Sequence, residues 1–152
     1  MNPLTEETII SQTKAWITSV VIGCNFCPFA AKALQMKSIR YVVLQDATTE
    51  STLELLVNEL QYLDAREEIE TTLIILPNQF NNFEKYLDLA GFAEALNSQK
   101  GYDGIYQIAS FHPEYLFAGS NEEDPANYTN RSAYPMLHIL REESVTRAVE
   151  NY

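Results

Sequence analysis

Three short apolar runs constrain this chain more than any other feature. They are IRYVVLQ at 39–45, TTLIIL at 71–76 and GIYQIASF at 104–111. All are rich in β-branched or aromatic residues, the composition of strands. The first two are nearly continuous in apolar character, as expected of strands buried on both faces. Between them lie stretches with helical periodicity. In one, Ser51 and Glu54 form a capping-box pattern ahead of Leu53, Leu56, Val57, Leu60 and Leu63. The other starts near Asn82 and carries Phe83, Tyr86, Leu87, Ala90, Ala93 and Leu96 inward. Strand–helix–strand connections of this length predict two right-handed crossovers and a three-stranded parallel core, a βαβαβ unit.

The flanking segments complete an α/β domain with a small three-layer-like build. An N-terminal helix pair precedes the core. Thr5 can cap the first helix, with Glu6 and Glu7 in its first turn and Ile9, Ile10, Thr13, Trp16, Ile17, Val20 and Val21 on one face. Gly23 ends it, and Pro28 opens a short second helix reaching Met36. After Phe111 the pattern is irregular for roughly twenty residues, a length that in a compact domain is functional or disordered. The aromatics Phe111, Tyr115, Phe117, Tyr128 and Tyr134 favour order. Pro135 then starts a C-terminal helix, and 114–118 offer a short fourth strand.

A length of 152 residues suits one domain spanning 1–152. Hydrophobic residues at 46% supply a core without staples. Ten basic against 21 acidic residues leave a net charge of −11. That balance opposes binding to nucleic acid or anionic membrane, both of which need surplus Lys and Arg. It leaves room for a local basic pocket and a small anionic partner. No apolar stretch approaches the roughly 18–20 residues of a membrane span. The acidic start lacks the features of a signal peptide, so the expected location is the cytoplasm, with Cys24 and Cys27 as reduced thiols.

Ligands of open parallel sheets bind beyond the C-terminal ends of the strands. Gln45, Asp46, Asn78 and His112 fall at those ends. His112 is therefore a candidate general acid or base, beside the alternative of a histidine bonded to backbone in a His-Pro turn. Asn130 and Arg131 lie in the polar run Asn127-Tyr128-Thr129-Asn130-Arg131-Ser132. Arg131 brings a planar fork suited to carboxylate or phosphate, and the helix expected at Pro135 would add free N–H groups. In that helix His138, Arg141 and Glu142 would share a face, either as a ligand-binding surface or as a local salt-bridged one.

Cys24-x-x-Cys27-Pro28 invites a redox or zinc reading, but the pair follows a helix rather than a first strand, and one such motif is unspecific. Buried small hydrophobes are the simpler reading, with Cys27 a candidate nucleophile at a helix N-terminus. Asp124, within the aromatic loop, is the acidic residue retained as a catalytic candidate. A P-loop, a G-x-G-x-x-G fingerprint, H-E-x-x-H and G-x-S-x-G are all missing from the sequence. No metal site and no cofactor is assigned, and the oligomeric state is left open.

Three blocks of sequence resemble the uncharacterised bacterial domain-of-unknown-function family numbered 1415. They are Gly23-Cys24-Asn25-Phe26-Cys27-Pro28-Phe29-Ala30, Phe111-His112-Pro113-Glu114-Tyr115-Leu116-Phe117, and the run from Asn127 to Glu142. The resemblance spans most of the chain and implies no reaction. It implies that the Cys24 position is usually apolar, which leaves Cys27 as the thiol of interest, and that relatives continue past Tyr152 with another helical segment. The function expected from residues and resemblance together is a small acidic-metabolite binding protein or enzyme working at the strand C-termini. A metal- or ligand-binding module and an interaction protein using the tyrosine-rich loop are the alternatives.

Overall fold

A computed structural model describes residues 5–18, 38–116, 119–121, 123, 130–144 and 146. In chain order the elements are α1 (Glu6–Trp16), β1 (Ile39–Val43), α2 (Thr49–Ala65), β2 (Thr71–Ile75), α3 (Phe83–Gln99), β3 (Tyr106–Phe111) and β4 (Met136–Arg141). The fold is a mixed α/β one built on a four-stranded sheet of order β1-β2-β4-β3.

The three runs read as strands are strands, and the two intervening patterns are helices. Thr5 caps α1, its hydroxyl accepting from the Thr8 amide, and Asn82 caps α3. The start of α2 differs from expectation. Thr48 is the N-cap, and its box partner is Ser51 at the third helical position, so the helix begins ahead of Ser51. Serine here does what glutamate does in the usual box, returning a bond to the N-cap amide.

The larger correction concerns the last element. The stretch from Pro135, expected as a helix, is strand β4, and it lies between β2 and β3. Among the described strands only β1 and β2 pair in parallel; β4 runs antiparallel to both β2 and β3. The three-stranded parallel core is therefore replaced by a mixed sheet. Residues 136, 137, 139 and 140 are apolar, a spacing that fits a helix and a doubly buried strand equally well. Central burial decides the outcome: Met136, Leu137 and Ile139 are each wholly buried. The short strand expected at 114–118 is also corrected, since the described part, 114–116, is turn and coil. The second N-terminal helix, and most of the loop between 117 and 129, lie outside the described residues.

One face of the sheet packs against α2 and α3. Ile74, Leu137, Ile139, Tyr106 and Ile108 meet Leu56, Leu60, Leu63, Tyr86, Leu89 and Ala93 there. The other face packs against α1, where Ile9, Trp16 and Ile17 cover Leu73, Ile75 and Met136. A half-buried ion pair, Arg40 Nε to Glu59 Oε1 at 2.7 Å, ties β1 to α2. Although β3 does not pair with β2, it points the same way as β1 and β2, because two antiparallel steps through β4 restore the direction. The C-terminal ends of all three therefore still share one rim.

Candidate functional site

The rim is formed by the segments 44–48, 76–82, 112–116 and 130–135. The first two are stitched together. The Asn78 side-chain amide donates to the Gln45 carbonyl at 3.0 Å, and the Ala47 amide donates to Gln79 Oε1 at 2.8 Å. Asn78 thus sits at the rim as expected, exposed, and spends a donor on the neighbouring loop.

His112 lies directly after β3 and is only 1% exposed. Both of its ring nitrogens are engaged by backbone. Nε2 is 2.8 Å from the Phe80 carbonyl, which can only accept, so Nε2 carries the proton. Nδ1 then accepts from the Glu114 amide at 3.0 Å. The ring rests against Phe83 and Tyr86, with centroids 5.2 and 4.9 Å away. Burial holds its pKa below the usual histidine value. These contacts fix the Phe80 turn, whose φ of 62° is unusual for a non-glycine residue, and the turn after β3.

Asn130 and Arg131 are placed beside this turn. The Asn130 carbonyl accepts from the His112 amide at 3.0 Å, and its side chain donates to the Ser110 carbonyl at 2.8 Å. Arg131 Nε donates to the Tyr115 carbonyl at 3.0 Å, which ties the guanidinium to the segment after β3. The Arg131 carbonyl accepts from the Trp16 indole at 2.9 Å, so the C-terminal end of α1 reaches the same place. The structure thus brings His112, Asn130 and Arg131 together. Cys27 and Asp124 lie outside the described residues.

The helix that was to present His138 and Arg141 on one face does not exist, and nor does its N-terminus as an anion site. Residues three apart on a strand face opposite sides. Arg141 turns to the α2 side, where Nε donates to the Ile69 carbonyl and Nη2 to the carbonyls of Leu63 and Arg66 at 2.8 and 2.9 Å. It satisfies the carbonyls at the end of α2, a structural task far from the rim. His138 turns to the α1 side. Its Nε2 is 2.5 Å from Thr71 Oγ1, and its Nδ1 is buried without a partner among the described residues. Burial drives its pKa down to about 4.

Tyr86 is a rim residue that the sequence does not single out. Its hydroxyl donates to the Met136 carbonyl at 2.5 Å and accepts from the Phe111 amide at 2.9 Å, clamping the rim ends of β3 and β4. Burial raises its pKa strongly. Helical periodicity marked Tyr86 as an inward residue, and a hydroxyl on an inward ring was the signal that it needed a buried partner.

Among the described residues, no three His, Cys, Asp or Glu side chains gather to hold a metal ion. Among the same residues, no helix is long and apolar enough to cross a membrane. Neither the curated proteins nor the solved structures include a match to this chain. The model of the family described as "Protein of unknown function (DUF1415)" matches residues 8–152, and the chain belongs to that family.

Proposed function

We propose that the protein binds a small carboxylate or phosphate at the rim where β1, β2 and β3 end. Arg131 holds the anion, Asn130 orients it, and His112 acts as a positioning residue for the loops around it. The observation that carries this reading is the placement of Arg131. Its guanidinium is anchored through Nε to the Tyr115 carbonyl, beside the only rim turn built on a buried histidine among the described residues. A fork fixed in this way has lost much of its rotamer entropy before an anion arrives.

The two backbone bonds of His112 favour binding over acid–base catalysis by that ring. A general base needs a nitrogen directed at its substrate, and here each nitrogen is directed at the chain. Calorimetric titration with inorganic phosphate, citrate and succinate at low ionic strength tests the proposal. Saturable binding of at least one of them, weakened tenfold or more by Arg131→Gln and unchanged by Arg66→Gln at the opposite rim, is expected. Equal binding by wild type and Arg131→Gln, or no binding by any of the three, overturns it.

A further inference from the structure

Tyr41, Leu73, His138 and Ala109 stand in register across all four strands and form one row on the α1 side of the sheet. Four buried side-chain atoms lack a hydrogen-bond partner among the described residues: Tyr41 Oη, Thr72 Oγ1, Asn97 Oδ1 and His138 Nδ1. Two of the four belong to this row. Thr72 faces the opposite side of β2, and Asn97 lies in α3.

The protons on the row follow from Thr71. Its Oγ1 is 2.5 Å from the Ile139 carbonyl and 2.5 Å from His138 Nε2. The carbonyl can only accept, so the threonine hydrogen goes there, and Nε2–H donates to the threonine oxygen. A neutral imidazole has one ring proton, which leaves Nδ1 as a bare acceptor. Tyr41 contributes a protonated hydroxyl, because burial pushes the phenol up to about 12. The row therefore holds one stranded donor and one stranded acceptor. Their backbones are two strand spacings apart, roughly 10 Å, with Leu73 between them. Leaving each buried group unpaired costs about 1–3 kcal/mol.

We propose that this row is a binding subsite, roofed by α1, for a small neutral molecule bearing a hydroxyl or carboxamide group. A molecule of this kind presents an acceptor to the Tyr41 hydroxyl and a donor to His138 Nδ1. A carboxylate has no hydrogen for Nδ1, and an ammonium has no lone pair for the tyrosine. Ile75, Met136 and Phe111 on the same face give the group an apolar surround that disfavours charge. The subsite is separate from the rim, lying about 7 Å further along the strands by the rise of two residues.

Acetamide is the probe, with acetate and methylammonium as charged counterparts, followed at pH 7.5 on protein carrying 15N-labelled histidine. Acetamide is expected to shift the His138 Nδ1 resonance saturably while Nε2 stays protonated. Tyr41→Phe is expected to weaken that binding at least tenfold and to raise the unfolding midpoint of the protein without probe, since it removes a stranded donor. Arg131→Gln is expected to leave the acetamide response unchanged. The proposal is overturned by an Nδ1 resonance that acetamide does not move, by equal responses to acetate or methylammonium, or by loss of the response in Arg131→Gln. It is equally overturned by a lower midpoint in Tyr41→Phe, or by ordered water alone between the two groups in crystals soaked with acetamide.

Discussion

Acidification is expected to destabilise this protein in part through His138. In the folded chain its pKa is about 4, because burial opposes the imidazolium. Unfolded, it returns to about 6.5. Between those values the unfolded state binds the proton and the folded state does not, so stability falls as pH falls. The contribution is complete above about pH 7.5. The loss attributable to this one ring is about 1 kcal/mol at pH 5.5 and about 3 kcal/mol at pH 4, levelling off below that. The residue keeps some exposed surface, but its polar Nδ1 is fully sequestered, and that end of the ring sets the effect. Carboxylates titrate in the same window, so the wild type alone is not diagnostic. Urea denaturation of wild type and His138→Asn at pH 7.5, 5.5 and 4.5 isolates the term. The difference between the two proteins is expected to shrink in the acid direction by about 1 and then 2–3 kcal/mol. A difference that stays constant across the three pH values would refute a neutral, buried His138.

Two structural substitutions follow from the same hydrogen-bond inventory. Arg141→Met should destabilise the fold by about 2–3 kcal/mol, because three carbonyls around the end of α2 lose a charged donor, and chemical denaturation at pH 7.5 would measure it. His112→Ala should cost about 3 kcal/mol through a cavity beside Phe83 and Tyr86 and two stranded backbone groups. A loss below 1 kcal/mol in the same measurement would count against its role in holding the rim.

Much of the architecture is legible in the residues. Periodicity locates β1, β2, β3 and the bodies of α1, α2 and α3, and cap chemistry locates Thr5. The failure at 136–141 is instructive. Met-Leu-His-Ile-Leu-Arg carries apolar residues in pairs, and pairing is what a central strand and a buried helix have in common. Nothing local distinguishes them; the choice is made by β2 and β3, whose edges need a partner. Two further corrections descend from it: the expected shared helix face of Arg141 and His138, and the expected anion-binding helix N-terminus at Pro135. The place of His112 at the rim is legible because it follows a strand end. Its bonding was not legible, since Phe80 lies 32 residues away along the chain. The buried row escaped for the same reason, being visible only once the register of four strands is known.

The place of β4 has a consequence for how the molecule comes into being. The strand that joins β2 to β3 is made last of the four, and its partner on β2 lies far upstream, Thr71 opposite Leu140. Until residue 141 is available, β1 and β2 form a two-stranded parallel ribbon among the described strands, and β3 lacks its described partner. Such long-range closure slows folding relative to local pairing. It also makes the sheet a single cooperative object. A chain cut before Met136 would lose more than an edge: it would separate the rim residues carried by β1 and β2 from those carried by β3. Assembly of the rim and closure of the sheet are the same event.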